Sequence, residues 1–195
     1  MTKEMDGRIV VSGVLLWAPQ IFTAAQFKEG QGSFRYAARI IVEPGTDSDK
    51  KIRKTIVEVA RKTLTSLSDD DVKRWVKKYM ASIKDTCYKE DERRPDKFLL
   101  SCSRDVSKGR PATRDKANRP VVEEDGLFYG GCKVNLDVSI WVQNKEFKGI
   151  RCEFNGIQFV GDGERLGGTP ADGALFDSLP DEEGELYDDE LDDLI

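Results

Sequence analysis

The sequence contains no histidine. That removes histidine-activated nucleophiles, histidine general bases and histidine-containing metal sites from the chemistry open to it. Cysteine is scarce: four residues, at 87, 102, 132 and 152, with no C-x-x-C pair. Cys102, Cys132 and Cys152 fall in phase with the apolar residues of predicted strands, so the thiols read as buried and reduced, neither zinc ligands nor a disulfide frame. No apolar run is long enough to span a bilayer. The run from Ile9 to Ala18 has Glu4, Asp6 and Arg8 at its entrance and no cleavage site after it, so it reads as a strand, not a signal peptide. A soluble protein in a reducing cytoplasm is expected. The Gly30-Gln31-Gly32-Ser33 turn is too short for a P-loop and lacks the Lys-Ser/Thr that would follow, which disfavours ATP binding.

Basic residues are missing from one region altogether. Residues 171–195 hold 11 Asp or Glu and no Lys or Arg, which leaves residues 1–170 with 25 acids against 31 bases, a net +6 inside a chain of −5. A basic body with an acidic end suits a polyanionic ligand that the end can imitate. We therefore divide the chain into a folded domain, 1–170, and a disordered acidic tail, 171–195, whose composition cannot support a core.

The stretch from Gly131 to Val160 organises the rest. From Cys132 to Val142 every even position is apolar, while the odd ones run Lys133, Asn135, Asp137, Ser139 and Trp141, the alternation of a half-buried strand. Trp141 breaks the polar face. It is either a stacking surface for an unpaired base, with Lys133 as a cation beside it, or a ring covered by a helix or loop. In the following strand the apolar phase slips from even (Ile150, Cys152, Phe154) to odd (Ile157, Phe159) across Asn155 and Gly156, which predicts a β-bulge and the curvature a small barrel needs.

Upstream, Arg8 to Trp17 has apolar residues in both phases and reads as a doubly buried or long curving strand. Phe34 to Glu43 alternates, with Phe34, Tyr36, Ala38, Ile40 and Val42 on one face and Arg35, Ala37, Arg39 and Ile41 on the other. The two arginines are solvated charges or phosphate contacts. Two helices follow, an insertion over 47–85. The core face of the first is Ile52, Ile56, Val59, Ala60, Thr63, Leu64 and Leu67. The second opens at a Ser68–Asp71 capping box with the face Val72, Trp75, Val76, Tyr79, Met80 and Ile83. Lys97 to Arg104 is a strand with Phe98, Leu100 and Cys102 inward. Residues 104–120 carry six bases, Arg104, Lys108, Arg110, Arg114, Lys116 and Arg119, against two acids. With no apolar face to pack, this loop is expected to stay mobile until an anion orders it, unless it only solubilises.

Tyr129-Gly130-Gly131, the alternating strand to Val142, the GIRCEF…GIQFVGDGERLGG segment and the acidic end together resemble phage single-stranded DNA-binding proteins of the acidic-tailed OB-fold family. The similarity is strongest over 96–170 and weaker over 8–43. It implies a mainly β fold with a helical insertion (α+β), an OB-fold-like five-stranded Greek-key barrel, that coats single-stranded DNA in phage replication, recombination or repair in the cytoplasm of the infected bacterium. One departure stands out: an OB-fold usually places its helix between the third and fourth strands, and here the helices precede the third predicted strand.

Phosphates would then meet Arg35, Arg39, the loop bases Arg104, Lys108, Arg110, Arg114, Lys116 and Arg119, and Lys133. Bases would stack on Trp141 and Tyr129, with Phe22 or Phe27. The tail end, Asp188, Asp189, Glu190, Asp192, Asp193, Leu194 and Ile195, would compete with DNA and recruit replication proteins of the polymerase, helicase or primase class. No cofactor, metal or catalytic residue is assigned. Two other readings use the same residues: a metal-dependent nuclease built on Asp137, Glu146 and Lys148, and an interaction module whose tail imitates nucleic acid.

Overall fold

The computed structural model describes residues 7–17, 20–26, 28–82 and 84–166. The acidic tail, Phe27 and Ile83 lie outside these residues. The chain forms β1 (Arg8–Trp17), β2 (Arg35–Val42), α1 (Asp47–Thr63), α2 (Asp69–Met80), β3 (Tyr88–Asp91), β4 (Arg94–Asp105), β5 (Ala112–Arg114), β6 (Lys133–Gln143) and β7 (Gly149–Gly161). Among the described residues no helix is long and apolar enough to cross a membrane.

The ladder β4-β2-β1-β6-β7 is antiparallel throughout, and it curls until β4 meets β7 in parallel at Ser103 and Glu153. That pair closes a five-stranded Greek-key barrel of OB-fold type, with β1, β2, β4, β6 and β7 as its five strands. The helices lie between the second and third barrel strands, as the order of the sequence signals required. β1 is the long curving strand: Arg8 to Val14 pair with β6, and Val14 to Trp17 turn across to β2. The predicted bulge is present, since Asp137 faces Gly156 and Val138 faces Phe154, leaving Asn155 as the extra residue.

Closure is thinner than one bridge suggests. Where β4 and β7 separate, residues 85–87 fill the gap: Cys87 N donates to Ile150 O at 3.0 Å, Ser101 N to Cys87 O at 2.8 Å, and Ile150 N to Asp85 O at 2.8 Å. The same edge of β7 then receives β5 at Gly156–Gln158. Gly156 permits this approach, because a Cβ there would stand 2.9 Å from Ala112 O.

Inside the barrel Leu15, Ile40, Leu100, Leu136, Ile140 and Phe154 are fully buried. Each contributes about 1.5–3 kcal/mol relative to exposure. α1 packs on β1 and β6 through Ile52 and Ile56, and α2 packs on α1. Ser68 caps α2, accepting from Asp71 N at 3.2 Å and donating to the Asp71 carboxylate at 2.6 Å. Trp75 and Tyr79 lie partly buried against the core, their rings 4.2 Å apart. α1 is also tied to β3. The buried Tyr88 hydroxyl donates to Asp49 at 2.7 Å, and Asp49 accepts from Arg53 Nε at 2.5 Å and Gly45 N at 2.9 Å. All four cysteines are free and buried.

Three expectations are corrected. Thr63 and Leu67, read onto the core face of the first helix, are exposed, because α1 ends at Thr63 and Leu67 lies beyond it. Residues 104–120 are folded: a 3-10 turn at Val106–Lys108 leads to β5, Arg114 bridges Pro120, and Thr113 and Val121 are buried. The backbone finds its partner in β7, a distant strand, so no local apolar face was needed. Phe34 is outside the core, 51% exposed, because β2 begins one residue later. β3, unforeseen, is a short charged edge strand whose one core residue, Tyr88, pairs with Leu100. The glycines of the YGG motif also find their cause. Gly131 sits at φ +110, where a Cβ would stand 1.8 Å from Glu164 O, so only a bare Cα lets the DGERL turn fold back over it.

Candidate nucleic-acid interface

The barrel seam lies at the bottom of a trough of about 700 Å³. Its walls come from the outer faces of β2, β4, β6 and β7, and residues 84–87 cross its floor with Cys87 and Cys152. The register explains how distant residues meet. Arg39 stands opposite Ser101, Ala37 opposite Ser103, Ser103 opposite Glu153, and Arg151 opposite Trp141. Outward positions of four strands thus form one continuous surface, on the barrel face that OB-folds use for oligonucleotides and reaching the β6–β7 hairpin.

Five cations line the trough, Arg35, Lys84, Arg104, Lys108 and Arg151, against two carboxylates, Asp105 and Glu153. Arg35 Nε donates to Ser103 Oγ at 3.1 Å and lies 3.7 Å from Asp105. Hydrogen bonds from Ser33 and from Ser107, with Arg35 alongside, pull the Asp105 carboxyl down to about 2. Arg39, exposed beside Ser101, has no ion-pair partner among the described residues. Arg151 reaches back to the carbonyl of Phe147 at 2.9 Å.

Among the described residues the exposed aromatic rings are Phe34, Trp141 and Phe147, at 51%, 44% and 83%. Of these, Trp141 lines the trough. Phe34 precedes Arg35, and its carbonyl accepts from Val106 N at 3.0 Å. Phe147 is held at φ +35 on the hairpin tip. Sequence reasoning missed Lys84, Arg151, Phe34 and Phe147. An aromatic among the charged residues of a predicted turn was the signal that could have found Phe147.

Of the residues singled out from sequence, Arg35, Arg39, Arg104, Lys108 and Trp141 share this face. The others lie elsewhere. Arg110, although exposed, lies over the Phe22 ring at 5.0 Å. Arg114, Lys116 and Arg119 follow β5 around its turn, about 16 Å farther along β7 from Glu153. Arg119 is paired there with Asp115 at 2.6 Å. Lys133 is eight residues, roughly 27 Å, from Trp141 at the other end of β6. Tyr129 donates its hydroxyl to Asp162 at 2.8 Å, and Arg165 covers its ring at 4.4 Å.

The nuclease constellation is not assembled. Asp137 is gripped by Arg8 at 2.6 and 3.0 Å, and six residues of strand, about 20 Å, separate it from the hairpin that carries Glu146 and Lys148. Among the described residues no group of three or more carboxylates or thiols is placed to hold a metal ion.

Comparison with known proteins agrees with this architecture. A protein of Acyrthosiphon pisum secondary endosymbiont phage 1, described as putative protein p50, is 28% identical over 179 residues, 88% of this chain and 94% of the relative. The single-stranded DNA-binding protein from bacteriophage Enc34, solved in complex with ssDNA, superposes with a TM-score of 0.62 at 18% identity, covering 86% of this chain and 97% of that one. The single-stranded DNA-binding protein gp2.5 of bacteriophage T7 gives 0.55 at 12% identity, over 93% of this chain and 100% of that one. The solved structures share the fold. The family model described as the ssDNA-binding protein of Enterobacter phage Enc34 matches residues 8–187, and the chain belongs to that family.

Proposed function

We propose that this protein binds single-stranded DNA without sequence preference along the trough, in phage DNA replication, recombination or repair inside the infected cell. The observation that carries this is the meeting of an excess of cations with the exposed ring of Trp141 on one OB-fold face. Phosphates contact Arg35, Arg39, Lys84, Lys108 and Arg151. Bases stack on Trp141, with Phe34 and Phe147 at the margins. No bond is made or broken, and the outward serines and cations offer no code for base edges. Each stacked base contributes about 1–3 kcal/mol, and five phosphate contacts give a salt slope of at most roughly −3.5.

Fluorescence anisotropy of labelled oligo-dT, titrated at several salt concentrations with unlabelled duplex as competitor, tests the reading. The expected result is a log K that falls with log salt at a slope between about −2.5 and −3.5 and duplex that competes poorly. A flat salt response, or duplex that competes as well as oligo-dT, rejects it.

The acidic tail belongs to the same reading. Its 11 carboxylates face a body of net +6, so it occupies the trough in the absence of DNA and presents Leu194-Ile195 to replication proteins when displaced. A chain ending at residue 173 should bind oligo-dT more tightly than the full chain at low salt, with the gap narrowing as salt screens the tail. Equal affinities at every salt concentration exclude intramolecular competition.

A further inference from the structure

Glu153 is a carboxylate fixed within a surface otherwise dominated by cations. Its side chain is 15% exposed and accepts from Arg104 Nη1 at 2.9 Å and from Lys108 Nζ at 2.8 Å. The two cations are not equivalent. Arg104 also donates to the carbonyls of Gly109 at 3.0 Å and Lys108 at 2.9 Å, and to Asn155 at 3.4 Å, so its guanidinium is built into the turn after β4. Lys108 ends that turn, its side chain 54% exposed, and Glu153 is its one ion-pair partner among the described residues. The backbone of Glu153 forms the direct pair across the seam with Ser103, and its carboxylate is oriented by Arg104.

We infer that Glu153 is a resident counter-ion of the trough: it holds Lys108 where a DNA phosphate would sit, and phosphate must displace it to gain that contact. This rests on the reading of the trough as the DNA site, and names a residue that limits its affinity. A fixed carboxylate beside the phosphate path weakens binding and makes its salt dependence shallower, since the cation released when Lys108 meets a phosphate is offset by the cation that the freed Glu153 carboxylate takes up. Such a brake suits a protein that must leave its strand readily. Arg104 is a positioning residue that keeps Lys108 and Glu153 in register.

The test is a double-mutant cycle on the full-length chain: wild type, Glu153→Gln, Lys108→Gln and both together, each titrated with labelled oligo-dT across salt. Glu153→Gln should bind several-fold more tightly at low salt, with a slope steeper by about 0.7, the value of one released contact. Lys108→Gln should cost more in the Glu153→Gln background than in wild type. Glu153→Asp, which keeps the charge, should keep the wild-type slope even if it loosens the fold. An unchanged or shallower slope in Glu153→Gln overturns the inference, as does additivity of the two substitutions or a steepened slope in Glu153→Asp. If wild type itself fails to bind oligo-dT, it is the DNA reading that falls.

Discussion

Asp49→Ala is expected to lower the melting temperature by roughly 10 °C, the equivalent of about 3 kcal/mol in a domain of this size. The carboxylate is 5% exposed and joins three elements: the turn before α1 through Gly45 N, α1 through Arg53, and β3 through the Tyr88 hydroxyl. Arg53 is 41% exposed at its side chain and can return to water, whereas the Tyr88 hydroxyl would be left buried without an acceptor. Tyr88→Phe should cost less, about 1 kcal/mol, because Asp49 keeps its other two donors. The pH dependence separates this from simple cavity formation. Burial pushes the Asp49 carboxyl up, but the Gly45 N–H, the Tyr88 hydroxyl and Arg53 together outweigh it and hold the group below its ordinary 3.8. A depressed folded-state pKa adds stability that is complete above the unfolded value and is lost as pH falls through the folded one. Thermal melts of wild type and Asp49→Ala should therefore stay separated from neutrality to about pH 4 and converge below it. A gap that persists unchanged into acid would show that the charge of Asp49 is not what matters.

Trp141→Ala should weaken oligo-dT binding between about fivefold and a hundredfold, the range of one base–aromatic stack, with little change in melting temperature. The ring projects from the outer face of β6 while its neighbours Ile140 and Val142 fill the core, so removing it leaves the barrel packed. Because no charge is lost, the salt slope should match wild type; Arg151→Gln should show the converse, a modest loss of affinity with a shallower slope. In wild type, oligo-dT should quench tryptophan fluorescence, and in Trp141→Ala most of that quenching should vanish. Affinity within twofold of wild type would remove Trp141 from the site.

The alternation in β6 and β7 was plain in the sequence because each strand has one wet and one dry face, and the phase slip at Asn155 disclosed the bulge for the same reason. What stayed hidden was set by distant partners. β5 and the turn around it are ordered by the edge of β7 and by the bare Cα of Gly156, so their own composition, basic and rich in turn formers, pointed the wrong way. β3 is short, charged and at an edge, and a period-2 pattern over Tyr88–Asp91 is invisible when only one residue faces the core. In the site, sequence ranks all arginines alike. It could not show that Arg104 is tied to Glu153 and two loop carbonyls, that Arg110 packs on Phe22, or that Arg165 already covers the ring of Tyr129. Phe34 was grouped with the apolar face of β2 because the alternation runs one residue beyond the start of the strand.

The patch of backbone at 85–87 makes the two helices more than an ornament on the barrel. The clasp that shuts the ring comes at the far end of the excursion that leaves after β2, so the length of that excursion is set by the distance from β2 to the gap it must plug. Engineered versions should tolerate changes on the solvent faces of α1 and α2 away from Asp49 and Arg53. They cannot shorten the pair without pulling the plug from under the very surface on which the strand of nucleic acid would lie.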